Sequence, residues 1–366
     1  MRIVPISCVK ENSTLAQTLY NTKGHILLKK GVALTSTLIE KIGENGIGMI
    51  YINDQYSKGE IEEIIKPELK NKAVVAIKEA YEHTVNYIYD DMKKASNIRE
   101  KNKAKTKEKY IHNLYTMSEK MVDEIVSKTN TMINMVDIKT MDNYTYEHSV
   151  NVAVLSLVIG IQLKLNKDDL VDLCVGAMLH DIGKVTVNPE IVKNKHGLSE
   201  EDMKEMEKHT VNGYKYLGEY YNINARSRVV ALQHHEKWDG TGYPRGIAGE
   251  NIHKFARIVA IADVYDTLTS YYDASKVITP NEAIEYIMGS AGRYYDFKFA
   301  ESFVRKIVPY PEGSLVTLSN GRNGVVERLN MYYPMRPVVK YIDGNGESVD
   351  LMKTTNCTIQ KVIYET

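Results

Sequence analysis

An apolar run from Leu170 to Leu179 ends in the pair His180-Asp181, and this junction limits the folds open to the chain more than any other stretch. Leu170, Leu173, Cys174, Ala177 and Met178 recur at helical spacing, which predicts a buried helix. Gly183 follows, and a glycine there can close such a helix. An ionised carboxylate taken out of water is costly unless a cation meets it. A divalent metal would be such a cation. A helix-end aspartate that reaches water, beside a core histidine, is the plainer alternative, and the dipeptide alone leaves both open.

Other polar residues stand in similar settings. His148 lies near the start of a predicted helix from Thr145 to Leu163, which Asp142 or Asn143 can cap. His209 lies in the amphipathic segment from Met203 to Leu217, and His234 and His235 close the run Val229 to Gln233. Asp263 interrupts the otherwise apolar Ile258 to Val264, and Asp266, three residues on, shares its helix face. His25, His83, His112, His196 and His253 read as ordinary side chains.

Five histidines and two aspartates exceed the roughly four ligands of one tetrahedral site. They suit two metals with positions left open to water. Nitrogen and oxygen donors without thiolate point to iron, manganese, zinc or nickel rather than copper(I) or a cluster. The cysteines agree: Cys8, Cys174 and Cys357 are far apart and unpaired in spacing, as expected of a reducing cytoplasm.

Across its 366 residues the chain balances 47 Lys plus Arg against 47 Asp plus Glu, so no overall charge argues for DNA, RNA or a membrane surface. The longest apolar run, Val152 to Leu163, falls short of a span of about 20 residues, and the N-terminus lacks an apolar signal core.

The pattern predicts a mainly α chain in four parts. Residues 1–65 are a small α+β regulatory module, with strands at Ile26 to Leu28 and Met49 to Ile52 and a helix from Thr35 to Ile42. Residues 66–135 are helical, with apolar stripes through Val74, Ile77, Ala80, Tyr81 and Val85 and through Ile111, Leu114, Met117, Met121, Ile125 and Met132. They read as linker or signalling helices, and as a homodimer contact. Residues 136–310 carry the chemistry. Residues 311–366 are a small antiparallel sheet or barrel, with strands near 314–318, 324–328, 337–341, 348–351 and 357–363.

Residues 136–310 resemble an HD-GYP domain, a branch of the HD-type metal-dependent phosphohydrolases. His180-Asp181-Ile182-Gly183-Lys184 is similar to its HD motif, and His234-His235-Glu236-Lys237-Trp238-Asp239-Gly240-Thr241-Gly242-Tyr243-Pro244 to the motif that names the family. Asp142, Tyr144-Thr145 and His148-Ser149 match the opening segment, and Ala262-Asp263-Val264-Tyr265-Asp266 the closing helix. The resemblance implies a helical fold and a metal centre held by His148, His180, Asp181, His209, His234, His235 and Asp263, with Asp181 bridging two ions.

The resemblance also implies hydrolysis of a cyclic dinucleotide, foremost cyclic di-GMP, to the linear dinucleotide or onward to GMP. Asp181 and Lys184 would serve catalysis, and Asp142, Tyr243, Asp266 and Lys276 would contact substrate. The loop Gly242-Tyr243-Pro244 could also meet a protein partner. Two departures from the family stand out. Tyr144 occupies the place where some members have a glutamate for a third metal, which favours two ions. Tyr271 to Lys276 replaces an Arg-Pro-Tyr-Arg-like phosphate grip and keeps only Lys276 as a cation. A sensor that binds without turnover, or a hydrolase of another phosphate ester, are the alternatives.

Overall fold

The computed structural model describes residues 1–20, 25–45, 47–54, 56–57, 64–92, 100–128, 144–194, 197–219, 221–270, 278–343 and 346–364, and of 87–92 and 100–107 the backbone only. The N-terminal module runs β1 (Arg2–Pro5), β2 (Thr14–Leu15), β3 (Leu19–Tyr20), β4 (Ile26–Leu28), α1 (Ser36–Glu44) and β5 (Met49–Asn53). β5 lies between β1 and β2 in an antiparallel sheet, and β3 pairs with β4. Val4, Leu15, Leu34, Ile42 and Ile50 form its own small core. The Thr35 hydroxyl accepts from the Leu38 N–H at 3.3 Å and so starts α1. The strands at 26 and 49 and this helix are where periodicity places them. The shortest strands are too brief to show a period.

Among the described residues ten α-helices follow: α2 (Pro67–Met92), α3 (Glu100–Ser127), α4 (Tyr144–Gln162), α5 (Lys167–Met178), α6 (Pro189–Lys193), α7 (Glu200–Glu219), α8 (Ala225–Gln233), α9 (Lys254–Thr269), α10 (Pro280–Ser290) and α11 (Phe297–Val304). α4 is buried from His148 through Gly160, as its nearly uniform apolar sequence requires, and packs against α5 and α9. The Asn166 side chain accepts from the Asp169 N–H at 2.8 Å and caps α5. α5 stops at Met178, and a 3-10 turn, Ile182–Thr186, follows the His180-Asp181 pair.

The packing revises the expected role of residues 66–135. Ile77, Ala80 and Tyr81 of α2 and Leu114, Met121 and Ile125 of α3 are buried in the same core as Leu155 of α4, Leu173 of α5 and Ile258 of α9. These helices are therefore walls of the catalytic-region core rather than a linker beside it. A homodimer through them would have to use their outer faces, where Val85 is exposed. Met132 lies outside the described residues. Ile77→Ala should lower stability by about 3 kcal/mol in urea unfolding, because it opens a cavity in a fully buried position. A detachable linker helix would show almost no change.

The C-terminal module is one antiparallel sheet of β6 (Leu315–Leu318), β7 (Asn323–Arg328), β8 (Val338–Tyr341), β9 (Ser348–Asp350) and β10 (Ile359–Ile363), in the order β10-β6-β7-β8-β9. Val316, Leu318, Val326, Val339 and Leu351 point to its core. The five strands match the predicted ones to within a few residues. Among the described residues no helix is long and apolar enough to cross a membrane.

Candidate metal centre

Five helices deliver the polar residues to one place. His148 comes from α4, His180 and Asp181 from the end of α5, His209 from α7, His234 and His235 from the end of α8, and Asp263 from α9. Their donor atoms form two groups, each with all its atoms within 4.8 Å of one another: Asp181, His209, His234 and His235 in one, and His148, His180 and Asp263 in the other. Asp181 lies between them. Its Oδ1 is 3.5 Å from His209 Nε2 and 3.7 Å from His234 Nε2, while its Oδ2 is 3.4 Å from His180 Nε2. His148 Nε2 is 3.1 Å from Asp263 Oδ1.

The imidazoles are oriented by backbone. Nδ1–H of His180 donates to the Ala177 carbonyl at 2.7 Å, that of His209 to Met206 at 2.7 Å, and that of His234 to Val230 at 3.0 Å. With the proton on Nδ1, each Nε2 aims a lone pair inward. His209 Nε2 and His234 Nε2 then face each other at 3.3 Å with no hydrogen to share. Among the described residues His180 Nε2 and Asp181 Oδ1 are buried with no hydrogen-bond partner. Lone pairs crowded in this way repel one another unless a cation lies among them, so the residues fit divalent metal ions.

The charge states agree. Burial pushes the His209 pKa down to about 3 and holds His235 well below the usual histidine value, so both stay neutral, as metal ligands must. Burial opposes ionisation of Asp181, but the nearby Lys184 and His180 outweigh it and keep its pKa well below the ordinary carboxylate range. Burial likewise opposes ionisation of Asp263, and its hydrogen bond to His148 reverses that. His148 is itself disfavoured as a cation by burial, yet hydrogen bonds to Asp263 and Asp266 raise its pKa to about 9. Without an ion, a proton serves as the cation there.

Asp266 is placed differently from expectation. It is buried, its Oδ2 accepts from His148 Nδ1 at 2.6 Å, and its Oδ1 accepts from Asn151 Nδ2 at 3.1 Å. Both oxygens are taken up by protein, so Asp266 orients His148 instead of facing substrate. Asn151 was missed, although it shares a helix face with His148 three residues earlier. Gly183 also differs from its predicted role: α5 has already ended, and a Cβ on Gly183 would overlap the His209 carbonyl oxygen. The glycine lets the 3-10 turn touch α7, which sets His209 beside Asp181.

Lys184 pairs through Nζ with Asp181 Oδ2 and remains 30% exposed at the edge of the centre. The Tyr243 ring stacks on His235 at 4.7 Å and 28°. The loop carrying it folds back because the buried Glu236 carboxylate accepts from the Arg245 N–H at 2.8 Å and the Ile247 N–H at 3.2 Å. Tyr144 lies nearly parallel to His148, with ring centroids 5.8 Å apart. Asp142 and Lys276, with the whole stretch Tyr271 to Lys276, lie outside the described residues. Above the centre opens a cleft of about 390 Å³, within the size range of small-molecule sites. Lys237 and Tyr295 line it with Lys184. Neither was expected, and for Tyr295 no sequence signal exists, since it comes from the turn between α10 and α11.

Residues 119–299 match the HD domain family. A cyclic di-GMP phosphodiesterase of Pseudomonas aeruginosa is 38% identical over 211 residues, 56% of this chain and 50% of that protein. A 3'3'-cGAMP-specific phosphodiesterase of Vibrio cholerae is 30% identical over 198 residues, 50% of this chain and 45% of that protein. Among solved structures, a HDG"Y"P protein from Bdellovibrio bacteriovorus aligns over 82% of this chain and 97% of its own, at 16% identity and a TM-score of 0.46. The chain spans about half the length of the curated relatives it matches. With the His180-Asp181 pair at its centre, the segment 119–299 is an HD domain by its match to that family, and its second motif resembles that of the HD-GYP branch.

Proposed function

We propose that the chain is a metal-dependent phosphodiesterase that hydrolyses a cyclic dinucleotide, cyclic di-GMP first among them, to linear pGpG or on to GMP. The observation that carries this reading is one carboxylate, Asp181, with each oxygen turned to a different group of imidazoles at the floor of a cleft. That arrangement suits two divalent ions, iron or manganese before zinc or nickel. His148, His180 and Asp263 would hold one, and His209, His234 and His235 the other, with Asp181 shared. Relatives named for cyclic di-GMP and for cGAMP support the substrate class.

Bound ions would supply the Lewis acidity that makes water nucleophilic at neutral pH and offsets charge on the phosphoryl oxygens. The chain's own residues supply the remainder. Asp181 and Asp263 stay ionised and keep the ions in place. Lys184, flexible and half turned to the cleft, can leave Asp181 for a phosphate oxygen or the leaving oxygen. Tyr243, stacked on His235, offers an aromatic wall for a base. We assign Asp142 and Lys276 to substrate contact on the resemblance alone, keep the Gly242-Tyr243-Pro244 loop as the surface for a protein partner, and assign the protein to the cytoplasm.

The test is a substrate panel on metal-loaded protein, read by chromatography: cyclic di-GMP, pGpG and a mixed-base cyclic dinucleotide. Appearance of a linear dinucleotide or of GMP is the expected result. If every member of the panel is bound but returned intact, the chain is a sensor. If it turns over only linear or mononucleotide esters, the cyclic substrate is wrong.

A further inference from the structure

We propose that Lys237 binds the second phosphate of the substrate and so selects for dinucleotides over diesters with one phosphate; this rests on the reading given under Proposed function. A cyclic dinucleotide carries two phosphodiester groups. One must sit on the metal centre, where Lys184 stands, leaving the other to be met elsewhere in the cleft. Two lysines line that cleft, and they differ. Lys184 is already paired with the carboxylate of Asp181. Lys237 makes no ion pair among the described residues; its Nζ rests over the Tyr294 ring, 4.5 Å from the centroid.

An ammonium over an aromatic face is held in place while its donors stay free, so Lys237 is a placed cation that no carboxylate touches among the described residues, with Asp239 acting on it only at longer range. Its backbone is fixed as well. It follows the metal-ligand pair His234-His235 and the buried Glu236 directly, and its carbonyl accepts from the Gly240 N–H at 2.8 Å. The Lys237 main chain therefore moves with the centre, which keeps a constant offset between the two phosphate positions.

The test compares Lys237→Gln and Lys237→Arg with the unaltered chain. Turnover of cyclic di-GMP and of bis(p-nitrophenyl) phosphate, a diester with one phosphate, is measured together with bound metal. Affinity for a hydrolysis-resistant phosphorothioate analogue of cyclic di-GMP is measured by calorimetry. In Lys237→Gln the ratio of kcat/KM for cyclic di-GMP over the small diester should fall about 10-fold through KM, with a matching loss of analogue affinity, and Lys237→Arg should restore most of both. An unchanged ratio with normal cyclic di-GMP turnover overturns the role of Lys237 and leaves the enzyme reading standing. Equal losses on both substrates with falling metal content also overturn it, because Lys237 would then act through the centre. If the unaltered chain neither binds nor cleaves any cyclic dinucleotide, the underlying reading fails and takes this one with it.

Discussion

Asp181→Asn should cost at least about 10³-fold in turnover and most of the bound metal, without unfolding the protein. Among the described residues Asp181 is the carboxylate whose two oxygens face both groups of imidazoles, at 3.4 Å on one side and 3.5 Å on the other. An amide of the same shape keeps an oxygen on only one side. Its NH2 would face imidazole Nε2 atoms whose lone pairs point inward, and would donate to them. That hydrogen bond fills the place of an ion with a neutral contact. The carboxylate is also buried, at 2% exposure, but its pairing with Lys184 outweighs the cost of burial, so neutralising it removes a net stabilising charge. Metal-free Asp181→Asn is therefore expected to stay folded and to melt somewhat lower than the metal-free parent. The rise in Tm on adding manganese should disappear, because a ligand stabilises what it binds. Elemental analysis and a melt with and without metal check this. A variant that holds its full metal content and turns over normally would remove Asp181 from the centre.

The clustering of these donor residues could be read in advance because an ionisable side chain in an apolar run is costly, and the sequence displays that cost openly. Asp263 within Ile258 to Val264 and His180-Asp181 after Leu179 are such places, and the structure brings their donor atoms together. The C-terminal strands were legible for a similar reason, since alternation marks the strands and Asn320-Gly321 and Asp343-Gly344 fall between β6 and β7 and between β8 and β9. Other features were hidden because they depend on what lies opposite. The α2 and α3 stripes look the same whether they face a second chain or the core of their own, and only the buried positions of Ile77 and Leu114 decide it. Gly183 looked like a helix stop; its need is the backbone of α7, 26 residues further on at His209. Tyr295 reaches the cleft from a turn that no periodicity marks.

Asp266 shows the same limit, and it separates two expectations by experiment. Three residues after Asp263, it shares a helix face with that residue, and the family resemblance places it toward substrate. In the structure it holds His148 Nδ1 at 2.6 Å and Asn151 at 3.1 Å. Removing such a partner frees the imidazole to rotate and lowers its basicity, which typically costs 10–100-fold in metal affinity. Asp266→Ala should therefore weaken manganese binding by about that factor, with a fall in kcat that excess metal partly restores. Asp266→Asn should lose less, because its amide oxygen can still accept from His148 Nδ1–H. A group that touched substrate would behave otherwise: metal affinity would stay at the parent value, KM would rise, and added manganese would restore nothing. Metal titration followed by kinetics at saturating manganese distinguishes the two. The order of loss, alanine greater than asparagine in metal affinity, is the signature of a carboxylate that acts through the histidine it holds.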